Sequence, residues 1–479
     1  VADSLQPASA QRVAPETSAW IWLSFFFALF CALLLALSIV LWNFYTGATV
    51  AREALVRVHV QAGIAYQPTG SPNLVLPSSR CLDSNTFCIN SLRENEPIVV
   101  RPEAGFGPVA SLVLPDSPTL PSQIDLWAHP YGARVTITEH WISRWTQREM
   151  IVRVRHEAGY ARYDLRRGQE YDQVVFQVDV GNNVLITLQP GGSYSIYVPR
   201  DPNGQLVRSR VAVRDTPMLV EVATREGEAL IVGPGGQKVV RPNERLAVGM
   251  GGAFEPILPT SWQLIADGDF TRYTSAEYNS RNGTDTWSIN SSIGDANMPV
   301  SEQNGLFATS LRCPPTKVDF CDPNEYVSIA QFRRDGGQTR SFITAITQTL
   351  NIDVSEYREL NLSVWVRVLN QSVPLAGVRG SECPLMIYLL YKETNPSDQE
   401  QRYIRCIYSL NAPGDDAAMV RAPEIVYTPM APFSWTRLEI KLRDEPQLRK
   451  ARYIQMIRIE ARGHDYLTEF TDVSLVGQQ

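Results

Sequence analysis

The sequence predicts a mainly β chain, with one N-terminal transmembrane helix followed by two β domains. Three observations predict it. Residues 19–42 read AWIWLSFFFALFCALLLALSIVLW, uncharged, interrupted only by the polar residues Ser24 and Ser38. The rest of the chain carries short runs of Val, Ile, Thr and Tyr with period two, the pattern of half-buried strands. Thirty Gly and 32 Pro punctuate those runs as turns.

The helix comes first. At about 1.5 Å rise per residue, 24 residues give roughly 36 Å, enough to cross a hydrocarbon core of about 30 Å with some tilt. Trp20 and Trp22 mark one end and Trp42 and Tyr45 the other, where interfacial aromatics belong. A cleaved signal peptide has a basic start and an apolar stretch of about 7–15 residues. Here the run is longer, and residues 1–18 carry only Arg12 against Asp3 and Glu16. The reading is a short cytoplasmic tail at 1–18 and an uncleaved signal anchor at 19–45. Ala28, Cys31, Ala32 and Ala36 form a small-residue stripe at spacings of three and four, a candidate face for contact with another helix.

Flanking charge does not orient this span, because Arg12 on one side faces Arg52 and Arg57 on the other. The cysteines do. Beyond Cys31 in the span stand Cys81, Cys88, Cys313, Cys321, Cys383 and Cys406. Cys81 with Cys88 and Cys313 with Cys321 are close enough to staple loops, each worth roughly 2–3 kcal/mol in the chain-entropy account. Cys383 and Cys406 flank a hairpin whose turn, at 395–398, sits a few residues off centre. No CxxC pair or Cys/His cluster favours zinc. Disulfides place the body outside the cytoplasm, on a single-pass protein of the cell membrane with its N-terminus inside. The sequons at Asn282, Asn290, Asn361 and Asn370 matter only in a glycosylating host. A net charge of −6 over 479 residues speaks against nucleic acid as a partner.

The first β domain is read at 46–256. LVRVHVQAG (55–63), PIVV (97–100), ARVTIT (133–138), MIVRVRHEAGYARYDL (150–165), DQVVFQVDV (172–180), NVLITL (183–188), SYSIYV (193–198) and MLVEVA (218–223) fit strands. One pattern recurs at 93–100 and 241–248: R-x-N-E-x-[IL]-x-V, a polar turn leading into a strand, with a weaker copy at 167–170. Each is preceded by an alternating segment containing glycine, VHVQAGIAY at 58–66 and VEVATREGEALIV at 220–232. These residues resemble the FecR-like periplasmic domain family over about 195 residues. Classical members regulate sigma factors through a helical cytoplasmic domain of several tens of residues. Eighteen residues rich in Ala, Ser and Pro cannot bury a core. The resemblance therefore implies the fold and weighs against the classical role.

The second β domain is read at 257–479, after a linker at FEPILPTSW (254–262). Its strands are YVSIAQF (326–332), ITAITQTLNI (343–352), LNLSVWVRV (360–368), LMIYLLY (385–391), RYIRCIY (402–408), WTRLEIKL (435–442) and IQMIRIEA (454–461). Leu360, Leu362, Val364, Val366 and Val368 share one face, as a sandwich strand requires. The DGDF opening at 267–270, the run at 348–365 and the closing DVSL at 472–475 resemble the galactose-binding-like jelly-roll family, which includes many carbohydrate-binding modules. That resemblance implies a jelly-roll β-sandwich. It also implies a structural Ca²⁺ near the junction of first and last strands, with Asp267, Asp269 and Asp472 as candidate ligands. Exposed aromatics would face sugar, with Trp287, Trp365 and Trp435 as candidates; Trp365 lies opposite the apolar face of its strand.

Catalytic patterns are missing. His59, His129, His140, His156 and His464 have no metal-ligating spacing, there is no G-x-S-x-G elbow, and GPGGQK at 233–238 lacks the phosphate-loop spacing. No C-x-x-C-H haem site occurs. The expectation is no enzyme and no cofactor beyond the candidate calcium. The function expected is a non-catalytic accessory or scaffold subunit of a larger membrane assembly, with the bilayer and other transmembrane subunits as partners. A tethered cell-surface carbohydrate-binding module is the first alternative, with glycan as partner, and an envelope sensor of FecR type the second.

Overall fold

A computed structural model describes residues 15–59, 64–66, 79–80, 87–102, 106–114, 121–128, 131–145, 149–166, 173–207, 218–271, 286–289, 305–317, 321–335, 341–371, 377, 380, 382–393, 398–409 and 421–479. The chain is mainly β, with one N-terminal apolar helix, Pro15–Gly47, ahead of two β domains. Along Ala19–Tyr45 the helix is long and apolar enough to cross a bilayer, and its side chains are exposed throughout. The tail at 1–14 lies outside the described residues.

The first β domain closes as a barrel. One long strand, Glu149–Asp164, belongs to both of its walls. Its first half pairs antiparallel with Ala133–Ser143 and parallel with Gln173–Asp179. Its second half pairs with Ser122–Trp127 and Ser193–Val198. The bend between the halves needs Gly159: its φ is +80°, and a Cβ there would lie 1.9 Å from the Gly132 carbonyl oxygen. His156 holds the bend from inside. Its Nε2 lies 3.2 Å from the carbonyl oxygens of Ala158 and Gly159, and its Nδ1 lies 3.1 Å from the Tyr163 hydroxyl. Carbonyls only accept, so Nε2 carries the proton and Nδ1 accepts from Tyr163. Burial keeps the ring neutral, lowering its pKa to about 4.

The recurrent R-x-N-E pattern is one turn used twice. At both copies the Asn adopts positive φ, 65° at Asn95 and 64° at Asn243. The Glu carboxylate reaches back to the Arg amide, 3.0 Å for Glu96 on Arg93 and 2.9 Å for Glu244 on Arg241. Strands Pro97–Val100 and Glu244–Gly249 follow, one in each wall. The weaker copy at 167–170 lies outside the described residues.

The second β domain is a jelly-roll sandwich. One sheet runs Leu306–Arg312, Val327–Arg334, Tyr466–Gln478, Glu359–Gln371, Thr436–Lys441, with Ser261–Gln263 also on Tyr466–Gln478. The other runs Ser288–Ile289, Phe342–Asp353, Tyr453–Gly463, Leu385–Lys392, Gln401–Ser409, Ile425–Met430. The alternation in 360–368 packs as expected: Leu360, Leu362, Val364, Val366 and Val368 all face the core. Disulfides join Cys313 to Cys321 and Cys383 to Cys406, each with Cα atoms 5.7 Å apart. Of the remaining expected pair, Cys81 and the Cys88 side chain lie outside the described residues.

The stretch at 254–262 is pinned. Trp262 is buried, its indole N–H donates to Glu221 at 2.8 Å, and the Arg245 guanidinium stacks over its ring at 5.0 Å while pairing with Glu221 at 2.9 Å. Further along the same contact, Phe106 stacks on Tyr453 at 4.2 Å and the Gly107 amide donates to Asp353 at 2.7 Å. Trp127 donates to Ser355 at 3.2 Å. At its centre Arg225 and Glu356 lie 3.8 Å apart with side chains 6% and 1% exposed, and Gln479 donates to Glu356 at 2.6 Å and to Tyr160 at 3.2 Å. Sequence periodicity does not report such a seam, because its members are scattered from 106 to 479.

Candidate functional site

Where the helix meets the barrel there is no slack. The Ala48 amide closes the last helical turn on the Phe44 carbonyl at 3.1 Å, and the Arg144 amide donates to the Ala48 carbonyl at 2.9 Å. Thr49–Ala51 then pairs antiparallel with Ala133–Ser143, Thr49 opposite Ser143, and the Arg52 amide donates to the His140 carbonyl at 2.7 Å. Tyr45 of the helix stacks on Trp145 with centroids 6.2 Å apart and planes within 12°, and the Arg144 guanidinium sits 5.2 Å from the Trp145 ring. His140 is buried behind this junction; desolvation and then the Arg52 charge lower its pKa to about 4. The stripe residues Ala28, Cys31, Ala32 and Ala36 are exposed along the helix, Cys31 as a free thiol.

The candidate calcium ligands approach one another through backbone only. The Val473 amide donates to the Gly268 carbonyl at 2.9 Å, and a Cβ on Gly268 would lie 1.8 Å from the Val473 carbonyl oxygen. The opening and closing segments therefore do meet. The carboxylates do not converge: Asp269 is exposed and accepts from Thr271 at 3.1 Å, Asp267 accepts from Thr286 at 3.5 Å, and Asp472 is exposed. Among the described residues no group of three or more His, Cys, Asp or Glu side chains is placed to hold a metal.

The three tryptophans separate. Trp287 is 1% exposed, packs 5.7 Å from Phe270 and donates to the Asp267 carbonyl at 3.0 Å. It is a core residue, and its assignment as sugar-facing is corrected. Its own sequence neighbourhood has no strand alternation that would have shown this. Trp365 is half-buried on the outer face of Glu359–Gln371, opposite Arg437 of the neighbouring strand. Trp435 is half-buried under the Arg367 guanidinium, 4.8 Å from its ring centre. On the same outer face lies an open groove of about 680 Å³ lined by Asn361, Ser363, Glu439, Lys441, Ser474 and Arg437, the strand partner of Trp365, among others.

One Ser, His and Asp set does assemble in the barrel. His59 Nε2 lies 2.7 Å from Ser111 Oγ, which donates to Asp125 at 2.5 Å. The order is wrong for nucleophilic catalysis, since the serine sits between its partners and its proton is committed to the carboxylate. Ser111 is also only 3% exposed. Burial raises the Asp125 pKa and lowers that of His59, so each is biased toward its neutral form.

No protein-family model matches the chain, and no curated protein does. Similar solved structures include a Parabacteroides distasonis protein described as an anti-sigma factor, at 16% identity over 34% of this chain, with a TM-score of 0.22. The chain spans 59% of the length of that structure. A family 11 carbohydrate-binding module from Clostridium thermocellum, solved with a β-1,3-1,4-mixed-linked tetrasaccharide, aligns at 10% identity over 42% of this chain and 94% of its own, with a TM-score of 0.22. A Stig cyclase from Fischerella sp. TAU aligns at 12% identity over 46% of this chain and 98% of its own, with a TM-score of 0.27. The likenesses are weak, and function has to be read from this chain's own residues.

Proposed function

We propose that this chain is a non-catalytic, single-pass membrane protein whose two β domains form a rigid extracytoplasmic body, serving as a scaffold or accessory subunit of a larger membrane assembly. The observation that carries the reading is mechanical. The helix enters the barrel through a paired strand, and the barrel is bonded to the sandwich through a seam of buried polar groups. A flexible tether would suit a sensor or a foraging module; a fixed post suits a part that must hold position. The disulfides support an extracytoplasmic body. Other transmembrane helices would cover the exposed stripe at Ala28, Cys31, Ala32 and Ala36.

Gentle detergent extraction followed by native mass measurement tests this. A stable particle with further subunits is the expected result, and a free monomer would overturn the scaffold. Protease added to sealed spheroplasts should cut the body, whereas cutting seen only after the membrane is lysed would reverse the orientation.

The groove on the outer sheet face favours a second reading, glycan binding, since amide, hydroxyl and charged side chains line it and one of them, Arg437, is the strand partner of Trp365. Retention on polysaccharide that is lost in Trp365→Ala would support it. No retention by the parent chain would exclude it.

A further inference from the structure

We propose that the tip of the hairpin following Ala133–Ser143, carried by Arg144 and Trp145, is a second membrane contact that seats the barrel on the phospholipid headgroups beside the helix. It rests on the reading that the helix spans the bilayer. The topology sets its position. Thr49–Ala51 leads away from the end of the helix, and Ala133–Ser143 runs antiparallel to it with Ser143 opposite Thr49. Continuing past Ser143 therefore means returning toward the membrane. Arg144 and Trp145 form the turn that begins there. The Trp145 ring accordingly lies against Tyr45, the last residue of the apolar span.

The chemistry at this level suits the headgroup layer. Trp145 is 48% exposed and Val50, on the paired strand, 38%, so the barrel presents apolar side chains at the level of the helix end. Trp42 and Tyr45 already mark this boundary on the helix, and indole and phenol rings prefer it for their apolar bodies and polar edges. Arg144 lies over the indole face, so its guanidinium and the ring would meet a phosphate together. The arginine also keeps the tip from sinking into hydrocarbon, where a charge is costly. Helix and tip together give two points of attachment, which fixes the tilt of the body where one helix would leave it free to swivel.

The test is lipid photo-crosslinking with the full chain in nanodiscs of phosphatidylcholine and phosphatidylglycerol. A benzophenone amino acid replaces Trp145, Leu33 in mid-span, or exposed Leu311 of the sandwich, in separate preparations. Position 145 should give phospholipid adducts at a yield comparable to position 33 and about tenfold above position 311. Adducts at 33 with none above the 311 background at 145 would overturn this contact while leaving the span intact. No adducts at 33 would overturn the span itself, and the contact with it. Arg144→Glu should lower the adduct yield at 145, and an unchanged yield would remove the phosphate from the proposal.

Discussion

The barrel and the sandwich solve the same problem differently. Both bury polar side chains, but the most deeply buried titratable groups of the barrel include neutral histidines, whereas those of the sandwich include carboxylates paired with arginines. In the barrel, His156 and Tyr163 share a hydrogen bond in full burial and His140 sits behind the helix junction. In the sandwich, Glu469 is entirely buried yet is held by Arg312 and Arg367, with Gln331 at 3.2 Å. Glu460 likewise lies between Arg458 at 2.7 Å and Arg462 at 3.2 Å. Disulfides are seen in the sandwich, one of them, Cys383–Cys406, fully buried. A neutral buried group ties stability to pH, whereas a paired one ties it to the presence of its partner.

The comparison can be broken by point changes. Glu469→Ala removes the carboxylate shared by two arginines and should cost about 3–5 kcal/mol, read by hydrogen exchange as faster opening of sandwich strands with barrel strands unchanged. Equal loosening of both domains would mean that the seam makes them one cooperative unit. Cys383→Ser should cost about 2–4 kcal/mol, again in the sandwich, read as a lower denaturation midpoint than that of the parent chain.

Acid should act on the barrel instead. Below the ordinary histidine value near 6.5 the unfolded chain takes up protons that His156 and His140 refuse until about 4. Stability from these groups is therefore complete above 6.5 and falls as pH drops toward 4, by about 2–3 kcal/mol for His156 alone. A thermal midpoint of the barrel that stays flat from pH 7 to 4 would contradict this, and His156→Gln should roughly halve the slope. The smallest effect is expected at the seam's edge. Arg245→Met loses a cation–π contact and a partly buried ion pair and should cost about 1–2 kcal/mol, seen as weaker protection of Trp262 and its neighbours.

Much of this architecture was legible because it is local. The strands at 97–100 and 193–198 and the parity of 360–368 follow from a period of two that neighbouring residues state by themselves. The R-x-N-E turns were legible for a similar reason: an Asn at positive φ and a Glu folding back on an amide need only four residues. Strands at Pro108–Leu114 and Ser122–Trp127 are not legible in the sequence, since their mixture of apolar, small and polar residues is buried on both faces and shows little alternation. Trp145 carried a signal in the run SRWTQR at 143–148, an aromatic in a basic turn.

The sequence by itself determined the apolar helix, the β class and the spacing that lets Cys313 meet Cys321, because each depends on residues within a helix length or one loop. Only the tertiary structure decided that Trp287 is core, that three acidic residues near one junction do not converge, and that the two domains share a buried seam. Those outcomes depend on which distant strands lie side by side and which way each side chain leaves its pleat. The N-terminal helix shows both kinds of determination. Its apolar residues declare the helix, but the rigidity of its attachment comes from Thr49 meeting Ser143 and Tyr45 meeting Trp145, nearly a hundred residues away.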